Sequence, residues 1–169
     1  MLLKLLGCLQ PDFEVDAVEQ IDLQAWWQAG LRGLILDVDD TLTLKNSPRL
    51  APAVQDWLLQ AQAIGFQCFL VSNNRYPEHI AVLSERLAIP GIAQAGKPRS
   101  RGFVWAMQKS GLAPEQFVAI GDRVLTDILG AGFLGLKTCL VAPVTPKLSA
   151  AKQILYNFEK RLAGLPKNR

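Results

Sequence analysis

The 169-residue sequence predicts an α/β fold: a doubly wound, Rossmann-like parallel sheet of about five strands flanked by helices. Two observations carry this. From residue 31 onward, short β-rich runs alternate with helical patterns, the order that builds a parallel sheet with helices on both faces. The β-rich runs also end in polar residues, where such sheets bind their ligands.

Residues 1–32 form a preface to the first core strand. Its "AWW" at 25–27 suggests a short helix whose Trp26 and Trp27 pack on the core, with a membrane interface as the alternative. "GLILDVD" (33–39) is a strand. "PAVQDWLLQAQAIG" (52–65) is a helix opened by Pro52 and stopped by Gly65. "FQCFLVS" (66–72) is the second strand, "YPEHIAVLSERLAIP" (76–90) a helix and "GIAQA" (91–95) a short third strand. A helix over 98–111 leads to "QFVAIGD" (116–122), then a helix over 124–135 and the strand "LKTCLVAP" (136–143). The remainder, 144–169, carries a terminal helix over 145–164. The expected organisation is one domain over 1–169, with preface 1–32, core 33–143 and C-terminal helix 144–169.

Half the residues are hydrophobic and a fifth are charged, an ordinary globular balance. The net charge of +3 is too small to argue for nucleic acid, and no such partner is expected. Charge is unevenly placed: residues 1–30 hold one Lys against five acids, and residues 147–169 hold six Lys/Arg against one Glu. In the terminal helix Ile154, Leu155, Phe158 and Leu162 share a face. Docking of that face on the sheet is the expected packing, and peripheral attachment to anionic lipid is the alternative. Cys8, Cys68 and Cys139 are odd in number and far apart, so no disulfide framework is suggested. No apolar run approaches the roughly 20 residues that span a bilayer. The apolar stretch before "LLGC" is too short for a signal peptide, and a cytoplasmic protein, with the membrane periphery as an option, is expected.

The chemistry lies at the strand ends. Asp37 and Asp39 end the first strand, Ser72-Asn73-Asn74 the second and Gly121-Asp122 the fourth, while Lys97 precedes the third core helix. Asp37, Asp39 and Asp122, with Asp127, make an all-oxygen set suited to a hard cation such as Mg²⁺. His79 is the only histidine, which excludes a histidine-based zinc site. Ser72 and Lys97 supply a hydroxyl and a positive charge for a phosphate. A carboxylate can attack phosphorus once the charge of the phosphate is neutralised. Asn73 is taken with the phosphate-binding group. Arg75, Arg99, Arg101 and Arg123 flank the expected mouth and could draw in an anion.

These residues resemble the haloacid dehalogenase (HAD) superfamily. Its four motifs are matched in order: Asp37-Val38-Asp39-Asp40-Thr41, then Ser72, then Lys97 in "AGKPR", then Gly121-Asp122 with Asp127 in "GDRVLTD". The resemblance implies Asp37 as nucleophile and Asp39 as general acid and base. It implies Mg²⁺ held by Asp37, Asp122 and the Asp39 carbonyl, with Asp127 assisting. Ser72 and Lys97 would bind the transferring phosphoryl group, Thr41 would steady the loop, and Asp40 is assigned no chemical part. A phosphorylated signalling receiver shares acids, Thr, Lys and Mg²⁺, but carries its phosphorylated Asp after the third strand, not the first.

Only 28 residues separate Thr43 from Ser72 and 24 separate Ser72 from Lys97, too few for an inserted cap domain. The Leu-rich start, "VSNN", "AGKPR" and "GDRVLTDILGAG" resemble the type IIIA phosphatases related to phosphatidylglycerophosphate phosphatase. That subgroup more often has Asn at the position of Asp40. The resemblance implies a phosphorylated substrate on a lipid head group; the alternative is a phosphoprotein, nucleic acid or soluble phosphoester.

Overall fold

The computed structural model describes residues 7–45, 47–145 and 149–165. Six parallel strands lie in the order β1-β6-β5-β2-β3-β4: β1 Phe13–Val15, β2 Gly33–Leu36, β3 Gln67–Val71, β4 Gly91–Ile92, β5 Phe117–Gly121 and β6 Lys137–Val141. Strand β2 is central and pairs with β3 on one side and β5 on the other. Chain order reverses there, so a crevice opens at the carboxyl ends of β2 and β5.

Every residue of β2 and β5 is buried, as strands covered on both faces must be. Alternation divides them. Leu34, Leu36, Val118 and Ile120 face one layer with Trp57, Leu58 and Ala61 of helix Pro52–Ile64 and Ile80 and Leu83 of helix Pro77–Leu87. Ile35, Phe69, Val71, Phe117 and Ala119 face the other, with Phe103 and Ala106 of helix Arg101–Ser110. The proline and glycine signals act as expected: Pro52 and Pro77 open their helices, and Gly65 closes the first at φ 113°.

The sixth strand comes from the preface, which the sequence pattern did not mark as β. Three residues are too few for a periodic signal, and β1 is held by β6. Asp12 fastens that edge: its carboxylate accepts from the Thr138 amide at 2.9 Å and pairs with Lys137 at 2.7 Å. Trp26 and Trp27 pack inward as expected, with ring centroids 5.0 Å from Phe13 and 5.2 Å from Phe66. Residues 1–6 of the preface lie outside the described residues.

Two helices differ from expectation. The run 124–135 is a π-turn over Val124–Ile128 followed by a single helical turn, Leu129–Gly132. The terminal helix runs over Ala150–Leu162, capped by Ser149, and positions 146–148 of the expected span lie outside the described residues. Its rotation overturns the expected packing. Tyr156, Glu159 and Lys160 are buried, whereas Ile154, Leu155, Phe158 and Leu162 are exposed. Glu159 accepts from both Nε and Nη2 of the Arg123 guanidinium and from the Leu125 amide, and Lys160 meets Glu14 at 2.6 Å. Those ion pairs set which face turns inward, because a buried charge needs its partner.

Candidate active site

The Asp37 amide donates to the Ile120 carbonyl at 2.9 Å and prolongs the β2–β5 pairing by one residue. The backbone then turns tightly: the amides of Thr41, Leu42 and Thr43 all converge on the Val38 carbonyl at 3.0–3.3 Å. Asp40 makes the turn with φ 64°, a left-handed conformation that Asp and Asn tolerate better than most residues. This turn separates the two acids. Asp37 Oδ1 meets Lys97 Nζ at 2.6 Å, whereas Asp39 Oδ2 accepts from the side-chain amide of Asn74 at 2.8 Å, toward the end of β3.

Lys97 is buried, and its ammonium also lies 2.6 Å from Asp127 Oδ1. Its position is held through Asn73, whose amide donates to the Lys97 carbonyl at 2.9 Å while its oxygen accepts from the Lys97 amide at 2.8 Å. Asn73, expected to meet phosphate, thus has both ends of its side chain on the Lys97 backbone. Ser72 is 1% exposed, lines the same cleft and accepts from the Asn74 amide at 3.0 Å. Asp122 follows β5, and the Thr41 hydroxyl bridges it to Asp37, at 3.4 and 3.2 Å. Asp127 sits on the π-turn, its other oxygen accepting from the Arg123 amide at 3.2 Å. Gly121 makes room for it: a Cβ there would stand 2.4 Å from Asp127 Cγ.

Asp37, Asp122 and Asp127 each bring a carboxylate oxygen within 4.8 Å of the others. One buried lysine among three acids leaves negative charge uncompensated. Burial, opposed by Lys97 and reinforced by Asp127, pushes Asp37 up to about 6. Burial, then Asp37, Asp127 and Asp40, push Asp122 up to about 8. Burial alone would lower the Lys97 pKa, but Asp127 and Asp37 together raise it. An all-oxygen, electron-rich cluster of this kind fits a hard divalent cation.

A family model described as HAD-hydrolase-like matches residues 94–146, which include Lys97, Asp122 and Asp127. A probable phosphatase of Bacillus subtilis, YqeG, is 31% identical over 159 residues, covering 94% of this chain and 92% of that protein. The chain belongs to the HAD superfamily. It is a HAD-type phosphatase. The chloroplastic phosphatidylglycerophosphate phosphatase 1 of Chlamydomonas reinhardtii is 33% identical over 146 residues, covering 80% of this chain and 53% of that one, so the match spans about half of that relative. Solved structures share the fold. An uncharacterized protein from Listeria monocytogenes serotype 4b superposes with TM-score 0.55 at 21% identity, over 72% of this chain and 88% of that one. The cobalt-bound deoxy-D-mannose-octulosonate 8-phosphate phosphatase of Haemophilus influenzae does so with TM-score 0.52 at 19% identity, over 80% and 90%.

In this HAD phosphatase the acids and Lys97 line an open cleft of about 510 Å³ with Lys45, Arg75, Tyr76, Arg123 and Lys152 at its margins. Of the four arginines singled out in the sequence, Arg75 and Arg123 line the cleft and Arg99 and Arg101 do not. Arg123 is already engaged by buried Glu159.

Sequence reasoning placed Asn74 at a strand end without giving it a partner, did not place Lys45 or Lys152 at the site, and assigned Asp40 no chemical part. Asp40 is a junction. Its carboxylate accepts from the Thr145 hydroxyl and from Lys152 Nζ at 3.1 Å, and its carbonyl accepts from the Val144 amide at 2.8 Å. The loop that carries Asp39 is thereby joined to the C-terminal segment. A second acid beside the motif was the only trace of this in the sequence.

Proposed function

We propose that this HAD phosphatase hydrolyses a phosphomonoester through a phosphoaspartate formed on Asp37, with Mg²⁺ as its cofactor, and that it converts phosphatidylglycerophosphate to phosphatidylglycerol. The observation that carries the chemistry is the separation of two acids only two residues apart: Asp37 is turned to Lys97 and Asp39 to Asn74. One is placed beside Lys97 to attack, and the other is placed beside Asn74 to handle protons.

In this reading an Asp37 carboxylate oxygen attacks phosphorus and the phosphorus–oxygen bond to the leaving group breaks. Asp39 delivers its proton to the departing alkoxide. Asp39, now a carboxylate, takes a proton from water as the water attacks the phosphoaspartate, and inorganic phosphate leaves with Asp37 restored. Lys97 and the Ser72 hydroxyl bind the phosphoryl oxygens, and Asn73 keeps Lys97 in register. Mg²⁺ would be held by Asp37, Asp122 and the Asp39 carbonyl, with Asp127 assisting. When bound it would neutralise charge between the nucleophile and the phosphate.

Two features support the lipid substrate. The cleft is open and lined in part by cationic side chains, which suits an anionic head group on a substrate too large to be enclosed. The Chlamydomonas relative is named for that reaction. The test is phosphate release by purified protein from phosphatidylglycerophosphate in mixed micelles, against a phosphopeptide, a 5′-phosphorylated oligonucleotide and soluble sugar phosphates, with Mg²⁺ or with EDTA. A preference for the lipid, lost in EDTA, is expected. Equal or better turnover of a soluble ester would transfer the assignment to that substrate. Asp37→Asn is expected to abolish turnover on every substrate while the protein melts as a folded domain; retained turnover would overturn the phosphoaspartate route.

A further inference from the structure

The terminal helix, Ala150–Leu162, is turned inside out relative to an ordinary surface helix. Its inward face holds Tyr156, Glu159 and Lys160, all buried, as is Ala163 just past its end. Its outward face is apolar: Ile154 is 70% exposed, Phe158 54%, Leu162 42% and Leu155 41%. At about 100° per residue, Ala151, Ile154, Leu155, Phe158 and Leu162 fall in one stripe about 100° wide. Arg161 falls on its border beside Ile154, and Lys152 lies past the other edge, turned to Asp40. An apolar stripe bordered by a cation, exposed on a docked helix, has the form of an element that lies in a lipid–water interface.

Two further observations choose the occupant. Residues 147–169 carry six Lys/Arg and one acid, Glu159, and that acid is already neutralised by Arg123. Lys152 and Lys160 are paired with Asp40 and Glu14, so the excess of positive charge that the sequence gives this segment rests on its other four Lys/Arg, Arg161 among them; that excess complements an anionic lipid surface and disfavours a symmetric contact with its own copy. The stripe is also continuous with the catalytic cleft. Lys152 lines that cleft and pairs with Asp40, and Leu155 and Tyr156 line a small hollow beside it with Asp40, Asp122 and Arg123.

We propose that the outward face of helix Ala150–Leu162, with Ile154, Leu155, Phe158 and Leu162 inserted and Arg161 at phosphate level, docks on an anionic bilayer and holds the cleft at the membrane surface. This deepens the lipid-phosphatase reading but is read out separately from it. Co-sedimentation uses vesicles of phosphatidylglycerol and phosphatidylcholine in equal parts, which contain no phosphomonoester, against vesicles of phosphatidylcholine alone. The wild-type protein is expected to sediment with the mixed vesicles and not with the neutral ones. The double variant Ile154→Gln, Phe158→Gln should lose at least about tenfold in partition, given the apolar area removed, with hydrolysis of soluble p-nitrophenyl phosphate unchanged. Arg161→Glu, which alters no apolar group, should weaken binding on its own and keeps the test open if the double variant misfolds. No sedimentation of the wild type, equal binding to neutral vesicles, or a double variant that folds yet binds like wild type would overturn the proposal. So would a wild-type dimer that the double variant converts to a monomer, which would assign the face to a second copy.

Discussion

Lys97 places its ammonium 2.6 Å from Asp37 Oδ1, with the two side chains 3% and 11% exposed. The same nitrogen is equally close to Asp127, so one buried cation holds two buried acids. Removing one partner of such a pair leaves the other charge unsolvated, at a cost of about 3–5 kcal/mol. Lys97→Met is therefore expected to lower the melting temperature by roughly 6–20 °C at neutral pH. The loss should shrink at pH 5, where Asp37 takes up a proton in place of the lysine. Thermal denaturation of the two proteins at both pH values is the check, and an equal loss at each would show that charge is not the cause.

The acids themselves set the pH dependence of the metal-free protein. Asp37 and Asp122 are raised from 3.8 to about 6 and about 8, so the native state holds protons that the unfolded chain has released. Stability from these groups is intact below about pH 4 and is lost progressively as pH rises through about 6 and about 8. Melting temperature in EDTA should fall from pH 5 to pH 9. Added Mg²⁺ should raise it more at pH 8 than at pH 5, because a cation competes with protons for the same oxygens. A cation effect independent of pH would contradict a site built on these acids.

Gly121 is a packing requirement of the site. A methyl group would stand 2.4 Å from Asp127 Cγ and drive that carboxylate away from Lys97 and its neighbours. Gly121→Ala should weaken Mg²⁺ binding by about 10–100-fold, the usual cost of disturbing the support of a metal site. Calorimetric titration reads the affinity, and circular dichroism checks that the fold persists.

Asp40 permits a paired comparison. Asp40→Asn keeps a side chain that tolerates φ 64° but removes the charge facing Lys152, whose side chain is 43% exposed. Solvent screening limits that loss to about 0–1 kcal/mol. Asp40→Ala adds a left-handed alanine, a further cost of about 1–2 kcal/mol. Urea denaturation should order the proteins wild type, Asn, Ala; an alanine variant as stable as the asparagine one would show that the turn carries no strain.

The course of the chain from 33 to 141, the run 124–135 excepted, was open to sequence reasoning because its signals are local. Apolar runs, prolines at helix starts and Gly65 at a helix end act over a few residues whatever surrounds them. Asp37, Ser72 and Asp122 come together for a related reason: strand ends in a parallel sheet share one edge, so position along the chain implies a shared cleft, whereas Lys97 and Asp127 lie off the strands and were singled out by their match to the HAD motifs. Folding then decided what depends on partners far apart in sequence. Strand β1 exists because β6 offers its edge, and Asn73 turned to the Lys97 backbone across 24 residues. The terminal helix is the sharpest case. Its periodicity shows an apolar stripe but carries no information on which way the stripe points. Arg123 and Glu14, 36 and 146 residues from Glu159 and Lys160, claimed the charged face and left the apolar one outside. Buried charge must be paired, and only the assembled structure brings the pairs together.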